Sequence, residues 1–277
     1  MKLERFALLL LVILLAFYAG WYLYDTMDLG EEPIVAHAPT PSATPPKGEP
    51  ENPPPQSARI PMPPRHPVSL PEKTETAGQP EEPPLPQNLE EADGWLQQRL
   101  SQLGLKKRLL RLLRLEHFIG RMVIFIDQLP ERSLPRQHMP VVPPDPPFMV
   151  TEADGHTIIS SANGLRYRPY VNLFNQLPVE VWVNIYQSLY PLFQQAWEQT
   201  GESGYFNDRL VEVIDHLLKT PVPRGPVPVQ KHITRYRYVD AALENASAGQ
   251  KLLIRSGQIE VLLPKLKQIR NLLAGSN

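Results

Sequence analysis

Asp127 and Asp215 are the side chains of this chain whose placement most needs a chemical explanation. Each lies near the end of an apolar helical stretch, RMVIFIDQL at 121–129 and RLVEVIDHL at 209–217. A carboxylate there faces the negative end of the helix dipole, and apolar surroundings add a desolvation cost. An arginine or free backbone amides would relieve both. One reading is a structural clip, in which Asp127 and Asp215 hold the proline-rich connectors or the two Arg-Tyr-Arg segments, with Arg166, Arg168, Arg235 and Arg237 as partners. The other is a paired-carboxylate active site. That chemistry needs a third positioned group, and the sequence implies none.

The remaining reactive residue types form no catalytic pattern. His117, His138, His156, His216 and His232 have no metal-ligand spacing to one another. His216 follows Asp215 directly, but helix neighbours point about 100° apart and do not make a dyad. Gly249, Gln250 and Lys251 open a helix and could hold an anion at its N-terminus. Ser247 and Gln250 have the spacing of a capping box, which accounts for the same residues without a ligand. Walker A, G-x-S-x-G, H-E-x-x-H and G-x-G-x-x-G motifs do not occur. The chain has no cysteine, which excludes thiolate metal sites, Cys nucleophiles and disulfides. We therefore expect no cofactor, no metal and no catalytic residue. Lys106, Lys107, Arg108, Arg111 and Arg114 interleave with leucines, which reads as a core helix with a solvated basic edge.

These residues need helices to position them. Asn88 caps an expected helix at 89–103, and a second is expected at 105–129, ending at Pro130. Asp154-Gly155 between β-prone runs, 148–152 and 156–160, signals a hairpin. A short helix containing Pro169 follows, then a longer one at 179–200. In the latter, Val179, Trp182, Val183, Tyr186, Leu189, Tyr190 and Phe193 form one apolar stripe, and Pro191 should kink it. Asn207 or Asp208 should cap a helix reaching Lys219. Beyond the prolines at 221–228 come a β-prone piece at 233–239 and two closing helices, the last over 258–273.

An internal echo runs through this order. Arg121-Met122-Val123-x-x-Ile126-Asp127-x-Leu129 matches Arg209-Leu210-Val211-x-x-Ile214-Asp215-x-Leu217, and each copy leads into prolines. Downstream, Arg166-Tyr167-Arg168 matches Arg235-Tyr236-Arg237. The expectation is a degenerate internal duplication and a pseudo-two-fold helical domain.

The N-terminal third is different. Residues 6–24, FALLLLVILLAFYAGWYLY, carry no charge and would span about 28 Å as a helix, close to one hydrocarbon core. Lys2 and Arg5 precede this run and acidic residues follow it, so the short N-terminus should stay cytoplasmic. The run is longer than a signal-peptide core and has no close A-x-A site, so it reads as a retained anchor. Eighteen of the 33 prolines fall between Pro33 and Pro86. Residues 25–87 read as a disordered, partly polyproline-II tether with a stretched reach of about 190 Å. Residues 88–277 carry 22 basic and 18 acidic side chains, which gives no reason to expect nucleic acid.

Tyr190-Pro191-Leu192-Phe193-Gln194-Gln195-Ala196, Tyr205-Phe206-Asn207-Asp208-Arg209-Leu210, Val213-Ile214-Asp215-His216-Leu217-Leu218 and Ser247-Ala248-Gly249-Gln250-Lys251-Leu252-Leu253 resemble the proteobacterial family called domain of unknown function 3014. The resemblance implies an anchored bacterial envelope protein and brings no activity. The expected architecture is mainly α: a cytoplasmic tip and single-pass membrane helix at 1–24, the proline-rich linker at 25–87, and a helical periplasmic domain with a small β-hairpin at 88–277. The expected role is binding or scaffolding at the bacterial inner membrane, with the lipid bilayer and an envelope protein as partners. A tethered envelope hydrolase and a sensor ectodomain are the alternatives.

Overall fold

A computed structural model describes residues 63–69, 83–143, 145, 147–233 and 235–274. The expected membrane anchor at 6–24 and most of the expected tether lie outside the described residues. Among the described residues, no helix is long and apolar enough to cross a membrane.

The domain is mainly helical, with two small antiparallel hairpins. Its centre is built from α3 (Phe118–Gln128), α5 (Val179–Gln199), α6 (Phe206–Leu217) and α9 (Ile259–Ala274). α3 packs on α5 and α6 packs on α9, while α3–α6 and α5–α9 contacts close the group. Each contributes an apolar face: Val123, Phe125 and Ile126 from α3, Tyr186 and Phe193 from α5, Phe206 and Ile214 from α6, Leu262, Leu266 and Ile269 from α9. Removing such faces from water is what holds helices of this length together. The apolar stripe of α5 is buried except for half-buried Tyr190, and the helix runs on through Pro191 to Gln199.

The expected helix at 105–129 is broken. α1 (Leu89–Gln102) is followed by one short turn, α2 (Lys107–Leu110), and then by irregular chain up to His117. There Leu113 forms an isolated bridge with Val141, Arg114 donates to the Pro140 carbonyl, and Val142 donates to the Leu112 carbonyl. The Asp93 carboxylate of α1 accepts the His117 and Phe118 amides at 2.6 and 3.0 Å. These long-range partners supply the hydrogen bonds that a continuous helix would have made locally, and His117 is left-handed with φ 51°.

The Asp-Gly hairpin forms as β1 (Val150–Ala153) and β2 (His156–Ile159), with Asp154 and Gly155 both at positive φ. The β-prone piece at 233–239 proves to be half of a second hairpin, β3 (Val229–His232) paired with β4 (Arg235–Tyr238). Its turn begins at Ile233, a β-branched residue at φ 58° and 82% exposed. The hairpins abut where Ile158 bridges Pro228.

α4 (Asn163–Phe174) follows the first hairpin, and α7 (Ala241–Glu244) and α8 (Ala248–Arg255) follow the second. The order helix, connector, hairpin, helices therefore occurs twice. The two Arg-Tyr-Arg segments do not occupy matching places within it. Arg166, Tyr167 and Arg168 lie in α4, whereas Arg235, Tyr236 and Arg237 lie in β4. Tyr167 is buried from a helix face and Tyr236 is half-buried from a strand, so similar local sequence meets different packing.

Gly249 in α8 sits where α3 and α6 end. A Cβ there would lie 2.7 Å from Leu217 Cδ2 and 2.9 Å from the Leu129 carbonyl oxygen. Gly249→Ala should therefore destabilise by ~1–3 kcal/mol and lower Tm by several degrees. Gly164→Ala, whose nearest neighbours would be 3.6 and 3.7 Å away, should leave Tm nearly unchanged in the same calorimetric comparison.

Candidate functional site

Both helix-end carboxylates hold arginines, but from elements other than the Arg-Tyr-Arg segments. Arg209 Nε donates to Asp127 Oδ1 at 2.8 Å, and its Nη2 donates to the Asp127 carbonyl at 3.1 Å. Arg270 donates to both oxygens of Asp215, from Nε at 3.0 Å and Nη2 at 3.3 Å. Hydrogen bonding to Asp215 raises the Arg270 pKa further. Arg166 is instead buried on Asn163 Oδ1 at 2.8 Å, its guanidinium 5.8 Å from the Tyr167 ring centre; burial lowers its pKa. Arg168 and Arg237 are exposed and Arg235 is half-buried. The sequence offered no signal for Arg209 or Arg270, because the pairing depends on how α3, α6 and α9 converge.

The start of α8 has its amides occupied. Ala248 donates to the Glu131 carbonyl at 2.7 Å and Gly249 to the Leu129 carbonyl at 2.9 Å. The Gln250 amide meets Ser247 Oγ at 3.3 Å, and the Ser247 amide meets Gln250 Oε1 at 3.1 Å, completing the capping box. Lys251 is half-buried, and burial lowers its pKa. The Ala248 and Gly249 amides thus close an interhelix junction with donors an anion would require.

His216 Nε2 lies 2.9 Å from Ser247 Oγ, within the distance range of a nucleophile and its base. Oxyanion stabilisation would have to come from the amides that follow Ser247, and these are bonded to Leu129 and Glu131. Gln250 Nε2 also donates to the His216 carbonyl at 3.2 Å. The pair therefore ties the end of α6 to the start of α8. Burial, followed by Lys219 and Arg209, lowers the His216 pKa.

The first turn of α6 carries a different arrangement. Asn207 and Asp208, expected to cap the helix, lie inside it, because the cap position is Tyr205 and Gln194 Oε1 accepts the Phe206 amide at 2.9 Å. Both are buried polar side chains. They grip Arg65 and His66 of the proline-rich stretch. Asp208 Oδ2 accepts the Arg65 amide at 2.9 Å and Oδ1 accepts the His66 amide at 2.7 Å. Asn207 Nδ2 donates to the His66 carbonyl at 2.9 Å and to the Leu273 carbonyl at 3.2 Å. The His66 ring nitrogen Nδ1 lies 3.3 Å from the Ala274 carbonyl.

This grip stands on a rigid aromatic base. Tyr186 donates its hydroxyl to Asn207 Oδ1 at 3.1 Å, fixing which end of the amide faces the peptide. Burial, then Tyr190 and Asp208, push the Tyr186 pKa well above its ordinary value, so it stays a donor. Phe193 and Phe206 stack 5.6 Å apart beneath it, and Tyr186 lies 5.1 Å from Phe193. The sequence showed Asn207 and Asp208 but not their burial, which comes from α5 and α9 closing over the helix start. Among the described residues, no group of three or more His, Asp or Glu could hold a metal ion.

A family model described as protein of unknown function (DUF3014) matches residues 118–270, more than half of the chain. The chain belongs to this family. Neither a curated protein nor a solved structure matches it. The DUF3014 match takes in both ion pairs, the His216–Ser247 junction and the Asn207–Asp208 grip. Residues 63–69, α1 and α2 lie outside it.

Two stability predictions follow from the junctions. Asp127 and Arg209 are 24% and 27% exposed, against 40% and 36% for Asp215 and Arg270. Asp127→Ala should cost about 1–3 kcal/mol and Asp215→Ala under about 1 kcal/mol, read from urea midpoints. Arg209→Lys should resemble Asp127→Ala, because an ammonium cannot serve both the carboxylate and the carbonyl in the guanidinium geometry. The lowered pKa of His216, and of His138 through burial and Arg121, means that the unfolded chain binds more protons just below the ordinary imidazole value. This contribution to stability is complete above about pH 6.5 and is lost as pH falls below it. His216→Gln should therefore flatten the fall in urea midpoint between pH 7 and pH 5.

Proposed function

We propose that this protein is a binding or scaffold protein of the bacterial envelope. Residues 6–24 anchor it in the inner membrane, the N-terminus stays in the cytoplasm, and the proline-rich stretch carries a periplasmic helical domain. The observation that carries the binding role is the gripped segment: the domain holds a proline-flanked bend through two backbone amides and one carbonyl at Asp208 and Asn207. Recognition of backbone groups by side chains fixed on a buried aromatic base is how a docking module is built.

The repeated order of elements supports an internal duplication. α3 and α6 open with Phe118 and Phe206, and Leu129 and Leu217 lie side by side at Gly249. The contacts α3–α5 and α6–α9 correspond across such an axis. The duplicated helices form the body, and their start at α6 provides the grip.

A tether also shapes the role. A head held on a leash searches a limited volume at raised local concentration, which suits a partner in the envelope. Grip on residues 63–69 would shorten the leash from the 58 positions of 25–82 to the 38 positions of 25–62. Protease added to spheroplasts should degrade the C-terminal domain while intact cells protect it, and fractionation should recover the full-length chain in membranes. A shortened soluble product, or a domain resistant in spheroplasts but cut after lysis, would overturn this placement.

A further inference from the structure

We propose that the grip at Asn207 and Asp208 is a recognition site for a proline-flanked dipeptide with a basic first residue, and that residues 63–69 are its built-in competitor. This deepens the reading of the domain as a docking module by naming its partner class. The partner is a Pro-basic-X-Pro segment of another envelope protein that bends at its central pair, where X is any residue with a backbone N–H.

The register argument comes from the donors. Pro63, Pro64 and Pro67 have no backbone N–H, so Arg65 and His66 are the two consecutive donors between prolines. Those two amides meet the two oxygens of one carboxylate, at 2.9 and 2.7 Å. Arg65 and His66 form a bend that turns both amides toward the one carboxylate, and the prolines on either side restrict the segment, which lowers the entropy lost on docking. A slip by one residue would aim a proline at Asp208 and lose a bond.

The charge argument comes from the other proline-flanked pairs. Glu51-Asn52 and Glu81-Glu82 also lie between prolines in the N-terminal stretch. Either would set its own carboxylate against Asp208. Arg65 brings a guanidinium, whose Nε lies 4.0 Å from Asp208 Oδ2. The side chains at 65 and 66 are otherwise little used: Arg65 is 65% exposed, and the His66 ring meets one carbonyl. The site thus reads backbone and charge and tolerates variety at the second position.

The occupant is separable from the body that holds it. Residues 63–69 are joined to α1 through residues 70–88, and the residues that grip them lie in the span matched by the DUF3014 model. A segment tethered this closely competes at an effective concentration of about millimolar, so a partner must outbid it or arrive in many copies. Displacement would free residues 63–69 and lengthen the leash.

The test uses the purified full chain in detergent, which makes it independent of where the protein sits in the cell. His66→Pro removes one gripped amide from the competitor and leaves the site intact. A fluorescent PPRHPVS peptide should bind the His66→Pro chain at least roughly tenfold more tightly than the unaltered chain. PPEHPVS should bind roughly tenfold more weakly, PPRPPVS should not bind, and adding Asp208→Asn should abolish binding. As a second arm, a specific protease site placed within 70–82 leaves both site and competitor unaltered. After cleavage, the labelled peptide should exchange with the released segment. Equal binding of all three peptides would overturn the proposal. So would the absence of binding to His66→Pro together with no exchange after cleavage, since residues 63–69 would then be a fixed strap.

Discussion

The amide of Gly249 donates to the carbonyl of Leu129, and the domain is organised around joints of this kind. Every helix end leaves donors or acceptors without intrahelical partners. Connectors rich in proline supply carbonyls but few amides. The chain resolves this by pairing helix ends with groups from distant sequence. The start of α8 donates to the end of α3 and just beyond it, Asp93 of α1 takes the first amides of α3, and Gln194 of α5 takes the first amide of α6. The cost is local intolerance, because the approach of α8 to Leu129 and Leu217 leaves no space for a side chain at 249.

Features that depend on near neighbours were legible in the sequence. The stripe of α5, the Asp-Gly hairpin and the Ser247–Gln250 capping box each rest on contacts within a few positions, and each appears in the structure. The need of Asp127 and Asp215 for cationic partners was legible too, since it follows from dipole and desolvation. Which arginines answer it was not, because Arg209 and Arg270 reach across helix interfaces. The break before α3 was hidden for a related reason. Leucines at helical spacing favour continuity, and Asp93, Pro140, Val141 and Val142 outweigh them. The second hairpin turns at Ile233, a residue that carries no turn signal.

The two halves also show how a repeat diverges. Arg121 and Arg209 hold corresponding places in their motifs. Arg209 crosses to Asp127, whereas Arg121 turns back to the carbonyls of Glu116 and Gln137, within the break before α3 and the connector after it. Asp215 therefore lacks the symmetric partner and takes Arg270 from α9. The same asymmetry exposes the start of α6 to residues 63–69, while the start of α3 is occupied by Asp93.

A purely structural helix start would have little reason to bury Asn207 and Asp208. An apolar pair would pack against Leu273 and Tyr186 without desolvating an amide and a carboxylate. The polar pair is tolerable because its bonding is nearly complete: Tyr186 on one side of Asn207, Leu273 and His66 carbonyls on the other, and two amides on Asp208. Three of those five hydrogen bonds come from a segment more than 140 positions away. Without such a segment, Asp208 would face solvent at the positive end of α6, where the helix dipole favours its charge. The carboxylate is thus stable both empty and filled, while Asn207 is kept oriented by Tyr186 in either state. A site that keeps its geometry when vacated is suited to exchanging one peptide segment for another.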